Sequence, residues 1–341
     1  MAETTSSSTE SIPLVIKVTS AIDVQTPPPS PRHRLLGLGL VAMSAFTFSL
    51  LSAAIKCDDM YESSYMSSME TVFWRSFVAL VFIFILILVT RTSLHVPHDM
   101  VPFVIYRSVG GFCVMALTFW TMSQMVLADA SCIIFTAPVM TFLLGALVLG
   151  EHIKPVDFAL AISCFGGVVF VARPAFLFGD TESPITVTHG SKYAILGGLA
   201  AAAFQSSTYV VIRRLKSFNF LVVIFYFMLV TSVLSATWIV ALEGVRLSSM
   251  SGFQSGSLST NVRWTCVGTG FLGFIGQLCM TKGFQLENAG IASVMRYLDI
   301  VFVFVWDTTL LHEHINPWSF VGAAIIFSSA IAIAIRKANH A

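Results

Sequence analysis

Four ionisable side chains stand inside long apolar runs: Arg107, Arg296, Asp299 and Asp307. A guanidinium at the centre of a bilayer helix costs on the order of 3 kcal/mol on insertion scales, so such residues mark pathways more often than they glue helices. Arg296 and Asp299 are three apart, which on a helix gives them one face and lets them pair. Asp307, eight residues beyond Asp299, falls on nearly the same side. Arg107 lies inside its run, with Gly111 one helical turn on and Thr118 and Thr121 continuing a small and polar stripe. The chemistry on offer is anion recognition, because the paired N–H donors of a guanidinium match carboxylate and phosphate oxygens. Asp299 can hold Arg296 while no solute is bound, or, with Asp307, carry a proton. Gln205 with Tyr209, and Gln277 with Thr281, add amides and hydroxyls four residues apart. Pairs of that kind also serve as bonds between helices. Arg75 and Lys282 lie close to the ends of their runs and are expected to snorkel to the interface.

The elements that must position these groups follow from composition. The 341 residues are 56% apolar and only 11% charged, with a mean hydropathy of +0.82. A soluble core has no use for that many long apolar segments. Ten helices are expected, over 35–56, 71–90, 101–122, 130–149, 156–173, 192–212, 219–242, 263–285, 290–311 and 317–335. Most carry about 20 residues, enough to cross a hydrocarbon core of roughly 30 Å. The chain thus reads as an all-α integral membrane protein with the lipid bilayer as its main partner. Residues 1–34, rich in Ser, Thr and Pro, read as a disordered cytoplasmic tail. A net charge of +1 gives no motive for nucleic-acid binding. The six cysteines show neither disulfide nor metal spacing. No nucleotide-binding loop or catalytic constellation is present, so no cofactor, no metal and no enzyme activity are expected. His312-Glu313-His314 invites a metal reading, but Gly150 stands where the first His would be in the related stretch described next.

That related stretch organises the chain. Leu149-Gly150-Glu151-His152-Ile153-Lys154-Pro155 returns as Leu311-His312-Glu313-His314-Ile315-Asn316-Pro317, 162 positions later. Apolar segments match one another cheaply, whereas a polar turn of this form does not. The expectation is a duplication, with one five-helix repeat over 35–174 and a second over 192–336. Lys and Arg gather in the loops on the side of both termini, among them Arg213, Arg214, Lys216, Arg336 and Lys337, which favours a cytoplasmic N- and C-terminus. Five helices per repeat is an odd number, so the two copies insert in opposite senses. Glu151 and Glu313 are expected to be structural, accepting hydrogen bonds from the first amides of the helices that Pro155 and Pro317 open. The repeat also sets Pro138, which loosens the fourth helix, against the region of Arg296 and Asp299 in the ninth, so one half supplies a kink and the other a charge.

Two five-helix halves, each ending near Leu-x-Glu-x-x-x-Pro, resemble the EamA-type transporters of the drug/metabolite transporter superfamily. Gly270-Phe271-Leu272-Gly273-Phe274-Ile275-Gly276-Gln277, Thr281 to Glu287, and Phe73-Trp74-Arg75 with Tyr106-Arg107 resemble more closely the G subfamily of solute carrier family 35. The resemblance implies a carrier with a central cavity between the halves, and no particular solute. Joined to the residues, it leads to an expected secondary transporter of a small organic anion working by alternating access. A proton-coupled exporter of neutral or zwitterionic metabolites and a non-transporting adaptor are the alternatives. A homodimer, and a plasma-membrane or endomembrane location, stay open.

Overall fold

The structure is a computed structural model that describes residues 31–57, 67–125, 127–151, 154–174, 177, 193–242, 260–310 and 317–339. Its helices are α1 (Pro31–Cys57), α2 (Ser68–Thr90), α3 (Val101–Gln124), α4 (Leu127–Ile134), α5 (Ala137–Leu149), α6 (Pro155–Ala172), α7 (Tyr193–Arg214), α8 (Phe220–Leu242), α9 (Thr260–Leu286), α10 (Ala289–Met295), α11 (Leu298–Thr309) and α12 (Pro317–Asn339). Among the described residues nine stretches are long and apolar enough to cross a membrane, two of them the broken pairs α4–α5 and α10–α11. The protein is therefore an all-α, multi-pass integral membrane protein. Helix α9 is outside that set although it is 27 residues long. It carries Gln277, Thr281, Lys282 and Gln285 among its apolar residues, which dilutes its hydropathy. Residues 1–30, and Glu313 with the rest of its turn, lie outside the described residues.

The two halves of the chain interlock. Helix α1 packs on α9 and α11, α2 on α8 and α9, α3 on α7 and α8, α5 on α7, and α6 on α12. The main core accordingly mixes both repeats, with Leu38, Val41, Phe142, Ala161, Tyr209, Phe284, Tyr297 and Ile326 all buried in it. Large apolar side chains face outward, such as Phe84, Leu88 and Val89 on α2 and Trp318, Phe320 and Phe327 on α12. An apolar exterior of this extent suits hydrocarbon as the solvent.

Two contacts join residues exactly one repeat apart. The Tyr297 hydroxyl donates to the Phe135 carbonyl at 2.8 Å, and the Cys164 thiol lies 3.9 Å from the Ile326 carbonyl. Both pairs are separated by 162 positions, the offset of the repeated turn.

The breaks correct the sequence reading. The first half is interrupted at Phe135–Thr136, two residues before Pro138, as a proline in the first turn of α5 allows. The second half is interrupted at Arg296–Tyr297, one residue short of the equivalent position, without any proline. There the amides of Arg296 and Tyr297 donate to the carbonyls of Ser293 and Val294, three residues back, and those of Asp299 and Ile300 do the same to Arg296 and Tyr297. Consecutive bonds of that spacing wind the chain into a tighter turn, and the helix axis is interrupted there. Side-chain hydroxyls from the second half reach carbonyls on both sides of the first break. Ser206 donates to Ala137 at 2.8 Å and Ser293 to Pro138 at 3.3 Å, besides Tyr297 to Phe135.

Candidate functional site

The second interruption borders, through Arg296, a central cavity of about 160 Å³. Arg107, Arg296, Gln205, Tyr209 and Gln277 all line it, so the five binding candidates from the sequence converge although they come from α3, α7, α9 and the α10–α11 break. Arg75 lines it too, together with Thr208, Phe48, Phe227 and Met115. The snorkelling expectation for Arg75 fails because α2 begins at Ser68, three residues earlier than expected. Its capping hydroxyl, Ser67 Oγ, accepts from the Glu70 amide at 3.2 Å and fixes that start. Arg75 is thereby about 10 Å of helical rise from the end, with Nη2 3.6 Å from the Met115 sulfur. Lys282 does stay outside, its ammonium 5.2 Å from the centre of the Phe220 ring.

Arg107 is 3% exposed. Its Nη2 reaches Gln277 Oε1 at a long 3.4 Å, and the guanidinium carbon lies 3.9 Å from the centre of the Phe227 ring. The buried Nε has no hydrogen-bond partner, and among the described residues no carboxylate pairs with Arg107. Gly111, one turn along α3, makes room for this stack: a Cβ there would stand 2.5 Å from Phe227 Cε2 and 2.6 Å from Arg107 Nη1. The small residue after Arg107 is thus a packing requirement of the arginine itself.

Arg296 pairs with Asp299, Nη2 to Oδ2 at 3.2 Å, and reaches Ser44 Oγ at 3.5 Å. The Phe48 ring centre is 5.0 Å from its guanidinium carbon. The pair is incompletely satisfied, since Arg296 Nε and Asp299 Oδ1 are buried without partners. Tyr209 stacks on Phe284 with ring centres 4.2 Å apart and lines the cavity. Asp307 does not line the cavity. It lies in the last turn of α11 beside Trp306, whose indole donates to Ser49 at 3.1 Å. The site therefore draws together Asp299 and Arg296 but leaves Asp307 apart. Among the aromatic residues, Trp120 and Tyr106 are more than a third exposed and face outward.

At one end of the bundle a second set of charges ties the repeats together. Gly150, at φ 64°, ends α5 in the left-handed region and turns Glu151 across the interface. Glu151 Oε1 pairs with Arg213 Nε at 3.2 Å, and its Oε2 accepts from the Ala289 amide at 3.0 Å. This corrects the expected partner. The carboxylate caps α10 of the opposite repeat, while α6 begins at Pro155 with no side-chain cap. Arg213 also donates to the Gln285 carbonyl at 2.6 Å. Nearby, Arg336 pairs with Asp157 at 3.0 Å, and Lys337 with the buried Glu287 at 3.0 Å. Burial pushes the Glu151 carboxyl above its ordinary range, and Arg213 opposes that only in part.

An apolar exterior and a polar cavity between interlocked repeats are features of a solute carrier, and comparison with known proteins agrees. Residues 27–173 and 192–335 match the EamA-like transporter family. Solute carrier family 35 member G1 of Homo sapiens is 29% identical over 304 residues, covering 89% of this chain and 80% of that protein. The pseudopaline exporter CntI of Pseudomonas aeruginosa is 26% identical over 301 residues, with 88% of this chain and 96% of the relative covered. A solved crystal structure superposes with a TM-score of 0.68 at 17% identity, over 86% of this chain and 98% of that one. The chain belongs to the EamA-like transporter family and resembles the G members of solute carrier family 35 within it.

Proposed function

We propose that the protein is a secondary carrier of a small organic anion that works by alternating access, and that Arg107 and Arg296 bind the anion. The observation that carries this reading is the state of Arg107: buried, lining the cavity and, among the described residues, held by an amide oxygen and an aromatic face with no carboxylate. A charged group in hydrocarbon demands compensation. A carboxylate or phosphate in the cavity would supply it and would also engage the free Nε. Arg296 then exchanges Asp299 for the solute, with Asp299 reclaiming it in the empty state. Gln277, Gln205 and Tyr209 give orientation through neutral hydrogen bonds, and Arg75 adds a third positive edge.

Ten crossings arranged as two inverted five-helix repeats, 35–174 and 192–336 after the 1–34 tail, are the architecture we infer, with α9 counted as a crossing. The contacts between counterparts at 135 and 297, and at 164 and 326, support it. So do the two helix breaks, which fall within one residue of equivalent positions. With both termini cytoplasmic, the Glu151–Arg213 and Asp157–Arg336 pairs close the cytoplasmic end. They must part when the carrier turns inward.

Uptake of radiolabelled carboxylates and phosphate monoesters into proteoliposomes tests the anion assignment. Loss of uptake in Arg107→Ala and in Arg296→Ala is expected; wild-type uptake in both would overturn it. A second reading, proton-coupled export of a neutral or zwitterionic metabolite, is favoured by the unpartnered Asp299 oxygen and by a relative named as an exporter. In that case flux follows an imposed pH gradient and stops in Asp299→Asn. The adaptor alternative rests on residues 1–30, and deleting them leaves flux intact if the protein is a carrier.

A further inference from the structure

We infer that the outer surface carries a site for one anionic phospholipid, its acyl chain in a groove between α3, α5 and α7 and its headgroup on Arg214. The groove has a volume of about 330 Å³, twice that of the central cavity. Phe103, Leu144, Val148 and Val211 wall it, and the two polar side chains present are already spent: Tyr106 donates to Ser207 Oγ at 2.7 Å, and Ser207 to the Phe204 carbonyl at 2.8 Å. A polar solute finds no partner there, whereas an acyl chain fits. The surrounding surface is apolar, with Ile105, Val109 and Leu147 all exposed, as a lipid-facing surface requires.

The headgroup assignment comes from the mouth of the groove. Arg214 ends α7, with its guanidinium carbon 5.1 Å from the centre of the Phe103 ring that forms the groove wall. Among the described residues it has no carboxylate partner, in contrast to Arg213, which turns inward to Glu151. Lys216, exposed two residues further, strengthens the positive field. Basic side chains at a helix end beside an apolar groove match a lipid phosphate with its acyl chain beneath it. The site also touches the cavity through consecutive residues. Tyr106 faces the groove and Arg107 the cavity on α3, as do Ser207 and Thr208 on α7. Lipid occupancy thus braces the two helices that position the anion site.

Native mass spectrometry of delipidated protein, titrated with phosphatidylglycerol or phosphatidylcholine, tests this without reference to the transported solute. One tightly held phosphatidylglycerol is expected, with a preference over phosphatidylcholine of about fivefold, the scale of one basic side chain near an anionic surface. Arg214→Gln should abolish the preference, and Val148→Trp, which fills the groove from the lipid side, should weaken binding of both lipids. Equal binding of the two lipids to the wild type overturns the proposal without any variant. A preference that survives in Arg214→Gln removes the headgroup assignment, and wild-type binding in Val148→Trp removes the groove.

Discussion

Arg213 and Arg107 are both arginines with little exposure, and the molecule treats them in opposite ways. Arg213, at the end of the bundle, has a carboxylate at 3.2 Å and a backbone carbonyl at 2.6 Å. Arg107, in the cavity, has one amide oxygen at 3.4 Å, a ring face, and a buried N–H with nothing to donate to. A structural arginine is satisfied by the protein that folds around it. A binding arginine is left with capacity for something the chain does not contain. Arg296 stands between the two, paired to Asp299 but with an N–H still unused, which suits a group that exchanges partners.

The sharpest way to break this contrast is Arg107→Ala. Hydrogen bonds to charged groups contribute about 1.5–3 kcal/mol, so uptake should fall about 10- to 100-fold, with folded yield unchanged or improved once an uncompensated charge is gone. Proteoliposome flux beside detergent thermal stability checks both halves of that statement. Glu151→Ala should do the reverse, lowering the thermal midpoint by several degrees and leaving the Michaelis constant within about twofold, since it strands Arg213 and the Ala289 amide. A large rise in the Michaelis constant with stability intact would show that Glu151 binds solute. Gly111→Ala is expected to be intermediate, because an added Cβ meets Phe227 and Arg107 together. Overpacking of about 1–3 kcal/mol there should reduce uptake without abolishing it.

The smallest effect expected is that of Glu151→Gln, and its sign depends on pH. Burial raises the Glu151 carboxyl in the folded protein. Folding then favours the protonated acid, so the stability this group contributes is complete below the ordinary carboxylate range and is lost as pH rises through the raised value. The wild-type melting temperature minus that of the Gln variant should therefore fall between acidic and neutral pH. A difference that rises over the same interval would show that Arg213 outweighs burial.

Much of the site was legible because charges inside apolar runs stand out from any composition. Arg107, Arg296, Gln205, Tyr209 and Gln277 could be named from spacing alone, and the cavity gathers them. Arg75 was missed over three residues of helix: a start at 71 leaves it near the interface, and a start at Ser68 buries it. The second helix break left no mark, because it comes from tightened hydrogen bonding at Arg296 and Tyr297 without a proline or glycine to announce it. The partner of Glu151 was equally hidden. Local rules point it to the helix it precedes, and only the interlocking of the repeats brings Ala289 within reach. Glu313, its counterpart, lies outside the described residues.

The contrast between the two arginines is tested most directly by ligand-induced stabilisation measured on three proteins side by side. Wild type, Arg107→Ala and Arg213→Ala would each be melted in detergent with and without a panel of carboxylates and phosphate monoesters. A bound solute raises the melting temperature by mass action. An anion that stabilises the wild type should stabilise Arg213→Ala by a similar increment from a lower starting point, and should not stabilise Arg107→Ala. Stabilisation that persists in Arg107→Ala, or that vanishes only in Arg213→Ala, would contradict the assignment of the cavity as the anion site.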